Sequence, residues 1–104
     1  MTIYDMTHLK RIGPLGQLSA ESMAGFRALD VAALAEGAIP KKYKELMAIA
    51  VALTTQCPYC IEVHTGKARK AGAGDAEIGE TILVAAALRA GAAIAHGSHC
   101  LKDE

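Results

Sequence analysis

The sequence predicts an all-α protein, an antiparallel helical bundle, on three observations. Apolar residues recur at helical spacing through most of the 104 residues. No stretch alternates apolar and polar residues as a half-buried strand does. Residues that start and stop helices stand where the periodic stretches begin and end. One domain is expected over residues 1–104, since a chain of this length buries roughly two-thirds of its unfolded surface. The composition is 52% hydrophobic but only 4% aromatic, and much of the apolar content is alanine. Alanine-rich helices approach closely yet bury little area apiece, so a lone copy is thinly stabilised and a homo-oligomer is expected.

Residues 1–18 contain Gly13, Pro14 and Gly16 and lack sustained periodicity, which predicts an irregular arm ahead of a helical core over residues 19–97. Ile3, Tyr4, Met6, Leu9, Ile12 and Leu15 are expected to lie over the body or over a neighbouring subunit. Ser19 can cap a first core helix that runs to about Glu36, with Met23, Phe26, Leu29, Ala33 and Leu34 near one face and Gly37 as its stop. Pro40 opens a second, to about Gln56, with Lys41, Glu45, Ala48 and Ala52 on one side and Leu46, Met47, Ile49, Ala50 and Leu53 largely around the other. Pro58 suits the first turn of a third, where its missing N–H costs nothing, and Gly72 ends it after Lys67, Arg69 and Lys70. Asp75 is the expected cap of a fourth from about Ala76, with Gly91 either breaking or thinning it before His96.

Charge narrows the function classes. Eleven basic and eleven acidic side chains interleave to a formal net charge of zero. That pattern is no nucleic-acid footprint and no polybasic membrane anchor. The segment Met1 to Met6 has no basic region followed by an apolar one, so no signal peptide is expected there. The apolar runs Leu46 to Leu53 and Ile82 to Leu88 fall short of a membrane span, and a cytoplasmic protein is the expectation. Thiols stay reduced in that compartment, where Cys-x-x-Cys serves redox chemistry or metal binding more often than a structural disulfide.

The chemistry concentrates in Gln56-Cys57-Pro58-Tyr59-Cys60-Ile61-Glu62-Val63-His64. If Pro58 opens the helix, Cys57 stands at or beside its N-cap, and Cys60 and His64 lie one turn apart on one face. The positive end of a helix stabilises a thiolate, and a nearby imidazole can move a proton. Glu45 lies about three turns before Cys57 among small or apolar neighbours. It is either a surface residue beside Lys41, Lys42 and Lys44 or a buried carboxylate that needs a hydrogen-bond partner, which His64 would supply if the third helix folds back on the second. In that second arrangement Glu45 orients His64, and His64 takes a thiol proton.

Lys44-Glu45-Leu46 through Ala52, Cys57 twelve positions after Glu45, Cys57-Pro58-Tyr59-Cys60, His64, Lys67-Ala68 and Ala71-Gly72-Ala73 together resemble the alkylhydroperoxidase-like and carboxymuconolactone decarboxylase family, in its redox-active Cys-x-x-Cys branch. The likeness covers roughly residues 19–97. It implies an all-helical fold, homotrimers or homohexamers, and reduction of a hydroperoxide substrate at the expense of a thiol or disulfide-exchange reductant, with no bound organic cofactor. Carried onto this sequence, it makes Cys60 the attacking thiolate, Cys57 the resolving thiol, and Glu45 with His64 the proton relay. Two other readings stand beside it: a lyase acting on a lactone acid, which needs a cationic carboxylate pocket, and a redox-sensing or metal-binding module without turnover. Zinc would need further ligands from His8, His64, His96, His99 or Cys100. Cys100 reads as an exposed cysteine, with a metal-binding tail or a third redox thiol as alternatives.

Overall fold

The computed structural model describes residues 4–103. It is all-helical, with no strand among the described residues. A 3₁₀ segment, Met6–Arg11, leads into five α-helices: α1 (Ile12–Leu18), α2 (Ala20–Leu34), α3 (Lys41–Thr55), α4 (Pro58–Lys70) and α5 (Asp75–Gly97). A last 3₁₀ turn covers Ser98–Cys100. The helix α3 is central, with α4 and α5 both packed along it.

Among the described residues the amino-terminal arm is helical from Met6 to Leu18 rather than irregular. The Asp5 carboxylate accepts hydrogen bonds from the Thr7 N–H at 2.9 Å and the Thr7 hydroxyl at 2.6 Å, which starts the 3₁₀ segment. Pro14 falls in the first turn of α1, where it removes no intrahelical bond, and the two flanking glycines had hidden the periodicity. Tyr4 sets its ring edge-on to Tyr59, with centroids 6.1 Å apart, so the arm does reach the body. Ile3 lies outside the described residues.

Two further boundaries differ from expectation. The helix α2 ends at Leu34, because Ala35 is extended and lysines of α3 cap the free carbonyls: Lys41 Nζ donates to Leu34 O at 3.2 Å and Lys44 Nζ to Ala35 O at 2.6 Å. Gly74, not Asp75, is the N-cap of α5, and the Asp75 carboxylate instead accepts from Arg69 at 2.6 Å. Gly91 does not interrupt α5. Its 23 residues span about 34 Å. Continuity through Gly91 gives a helix long and apolar enough to cross a membrane, by length and composition alone. Here Ile78 and Ala85 are buried in the bundle, Arg89 donates to Thr54 O at 2.7 Å, and Glu77 pairs with Lys42 at 2.9 Å.

The turn between α3 and α4 fixes where the dithiol stands. Gln56 adopts the left-handed conformation, φ 58°, and the Cys57 N–H donates back to Ala52 O at 3.0 Å, closing α3 with a Schellman-type bond. One residue after that stop, Pro58 begins α4. The carboxyl end of α4 closes the same way: Gly72 at φ 101° needs glycine, and the Ala73 N–H reaches Ala68 O at 2.9 Å.

The core is small, formed by Leu46 and Ile49 of α3, Ala68 of α4, Ala73 and Ile78, with Leu53 against them. The molecule is elongated, 58 × 33 × 33 Å, with a radius of gyration of 17.4 Å. A compact chain of this length has about 13 Å. Phe26, Leu29 and Val31 of α2 and Leu83, Leu88 and Ile94 of α5 remain exposed.

Candidate functional site

The second core helix of the sequence reading, α3, contributes Glu45, and α4 contributes the dithiol and His64. Glu45 is fully buried, so the surface alternative is excluded. Its Oε2 lies 2.7 Å from His64 Nδ1 across the α3–α4 contact. An ionised carboxylate only accepts hydrogen bonds, so with Glu45 ionised Nδ1 is the donor of this contact, and in the neutral ring Nε2 is the nitrogen left to take a proton. The other oxygen, Oε1, is 3.3 Å from Lys41 Nζ one turn earlier in α3. The buried carboxylate therefore has a partner on each oxygen, as burial of a charge requires.

Cys57 is the N-cap of α4 and Pro58 its first residue, as the spacing predicts. The Cys57 sulfur accepts from the Cys60 N–H at 3.3 Å, and the two free sulfurs are 3.0 Å apart, within hydrogen-bonding reach. Either thiol can donate to the other, but the Cys57 sulfur is the one that also receives a backbone N–H at the positive end of the helix. Ionisation of the pair is therefore favoured at Cys57 over Cys60. The Cys60 thiol first, and then the Cys60 N–H, hold Cys57 below the usual thiol range against a slight opposing effect of burial. Cys60 is pushed up, first by its hydrogen bond to Cys57, then by burial, and then by the charges of Cys57 and Asp30. Whereas the resemblance makes Cys60 the attacking thiolate, the hydrogen bonds of the resting pair favour ionisation of Cys57 over Cys60.

The site thus brings Glu45 and His64 into contact, and Cys57 and Cys60 into contact, with His64 one turn beyond Cys60 on α4. Two participants were missed. Lys41 is a direct partner of Glu45, and its i,i+4 spacing was the available signal. Asp30 of α2, whose charge acts on Cys60, had no local signal at all, because it comes from a distant helix. At the other end of α5 the rings of His96 and His99 meet edge to face at 6.5 Å. Among the described residues no group of three His, Cys, Asp or Glu side chains is arranged to hold a metal ion.

Fold and site together define an all-helical protein in which a buried carboxylate–imidazole pair accompanies a dithiol at a helix N-cap. The chain belongs to the carboxymuconolactone decarboxylase family, whose sequence pattern matches residues 20–103. It is 44% identical over 100 residues to an uncharacterized protein of the cox locus of Paracoccus denitrificans, covering 93% of this chain and 90% of that one. An uncharacterized protein of Cupriavidus necator is 31% identical over 75 residues, 72% of this chain and 66% of that one. The fold is similar to the crystal structure of an apo carboxymuconolactone decarboxylase family protein from Legionella pneumophila. The TM-score is 0.74 at 34% identity, covering 80% of this chain and 79% of that one.

Proposed function

We propose that the protein is a thiol-dependent peroxidase of the alkylhydroperoxidase-like kind, cycling the Cys57–Cys60 pair between dithiol and disulfide. The observation that supports this most directly is the buried Glu45 carboxylate held on His64, one turn past Cys60. Such a pair is an anchored proton acceptor on the same face of α4 as the Cys60 thiol, one turn away.

In the proposed cycle Nε2 of His64 takes the Cys60 proton, directly or through a water. The Cys60 sulfur attacks the O–O bond of the hydroperoxide and becomes a sulfenic acid as the alkoxide leaves and is protonated to the alcohol. Cys57, whose ionisation is favoured by the Cys60 N–H and the helix end, then attacks that sulfur as the thiolate. The S–S bond forms and hydroxide leaves, protonated to water. An external dithiol then restores the pair by exchange, becoming a disulfide itself. The division of labour keeps the resemblance's assignment of Cys60 to attack and gives a physical reason for Cys57 to resolve.

The lyase alternative is disfavoured by the lysines it would need. Lys41 is on Glu45, Lys42 on Glu77 and Lys44 on Ala35 O, which leaves none of the three free to receive a substrate carboxylate. The exposed apolar faces of α2 and α5 on so elongated a chain support association of the 10.8 kDa chain with itself, and the proposal takes that assembly to be a homotrimer or homohexamer working in the cytoplasm. The test is hydroperoxide consumption coupled to a small dithiol reductant. Wild type should turn over and Cys60→Ser should not; full activity in Cys60→Ser rejects the assignment.

A further inference from the structure

Lys41 is placed where helix energetics alone give no reason for a lysine. It is the first residue of α3, at the positive end of the helix dipole, and it precedes its acidic partner in the less favourable i,i+4 order. It is nevertheless held at three points. Its main-chain N–H donates to Glu36 Oε2 at 2.9 Å, and its ammonium donates to Leu34 O at 3.2 Å and to Glu45 Oε1 at 3.3 Å. The last two contacts join the carboxyl end of α2 to the buried carboxylate of the site. Its neighbours Lys42 and Lys44 are committed elsewhere, so no other lysine of this cluster supplies the contact.

We propose that Lys41 is a positioning residue for the relay: docked on Leu34 O, its ammonium anchors Glu45 Oε1 and so turns Oε2 onto Nδ1 of His64, fixing the ring tautomer that leaves Nε2 basic. The consequence for turnover rests on the peroxidase reading; the tautomer does not. With Oε1 anchored, the carboxylate has one orientation that satisfies both oxygens. Without the ammonium Oε1 loses its charged partner and the carboxylate is held less firmly against Nδ1, which weakens the selection of Nδ1–H over Nε2–H. The half-exposed position of Lys41, with 49% of its side chain accessible, makes the contact removable without opening the core.

The experiment compares wild type with Lys41→Met, Lys41→Gln and Lys41→Arg by nitrogen-15 NMR of the His64 ring. Thermal unfolding of each variant is followed in parallel. Glutamine keeps a hydrogen-bond donor but has no charge, so it separates the charge of the ammonium from its donor capacity and serves if the methionine variant does not fold. Wild type and Lys41→Arg should give the single Nδ1–H signature. Lys41→Met and Lys41→Gln should give a mixture of tautomers and, where peroxidase turnover is measured, a fall of about tenfold in kcat with KM little changed. A pure Nδ1–H signature in either neutral variant overturns the proposal. Absence of peroxide turnover in wild type would instead reject the proposed activity and leave the tautomer result to be read on its own.

Discussion

Replacing Glu45 by glutamine separates the chemical from the structural contribution of the buried carboxylate. The amide keeps the size of the side chain and one oxygen able to accept the His64 Nδ1–H, but has no charge. A hydrogen bond to a charged acceptor contributes about 1.5–3 kcal/mol and a neutral one about 0.5–1.5 kcal/mol, so the His64 contact weakens by about 1 kcal/mol. On the other side Lys41 is half exposed, and an ion pair in that setting contributes at most about 1 kcal/mol. An amide is also easier to bury than a carboxylate, which offsets part of both losses. The net cost to folding is therefore about 1 kcal/mol, read as a shift of the urea midpoint at unchanged slope. Turnover should suffer far more, because the imidazolium formed when His64 takes the thiol proton loses its countercharge; a fall of about 10²–10³-fold in kcat is expected. Turnover within about threefold of wild type, in a variant shown to be folded, would refute the reasoning.

Alkylation followed against pH should give Cys57 a midpoint below the ordinary thiol range, and Cys60→Ala should move it upward, since the Cys60 thiol is the first cause of the lowering; an unmoved midpoint would contradict that cause. Because Cys57 is depressed in the fold, its contribution to stability is present above the unfolded thiol value and fades as pH falls through the folded one. Cys60→Ala removes the first cause of that lowering, so urea unfolding followed against pH should show a smaller rise of stability across that window than in wild type; the raised Cys60 acts above the unfolded thiol value, where its own contribution is lost as pH rises, and an unchanged rise in the variant would contradict the reasoning. Ile49→Ala, at a site only 2% exposed, should cost about 2–5 kcal/mol in urea unfolding, and a loss below 1 kcal/mol would mean that the core lies elsewhere. Gln56→Gly should stabilise the chain by about 0.5–1 kcal/mol by removing a left-handed non-glycine residue, and a net loss would show that the side chain has another role.

Much of this arrangement was legible because its causes are local. Pro58 and Gly72 mark the two ends of α4 through properties of single residues, and the i,i+4 relation of Cys60 and His64 follows from helix geometry once Pro58 sets the start. The arm was misread because Pro14 and two glycines suppress the apolar rhythm, whereas Asp5 and Thr7 start the helix by a side-chain contact two residues long. Asp75 has the right chemistry for a cap, yet a longer-range contact with Arg69 captured it and an extended Gly74 took the position. Burial of Glu45 depends on how α4 folds against α3, which residue spacing allows without requiring. The unequal thiols had no sequence signature beyond the helix start, since the inequality arises from a 3.0 Å sulfur contact and from the charge of Asp30 on another helix.

The account is tested most directly by treating Cys57→Ser with one equivalent of an alkyl hydroperoxide and trapping sulfenic acid with a carbon nucleophile, then locating the adduct by mass spectrometry. The account predicts a stable adduct at Cys60 in this variant, and a Cys57–Cys60 disulfide without adduct in wild type. No oxidation of Cys60, or an adduct found instead at Cys57 in Cys60→Ser, would contradict it.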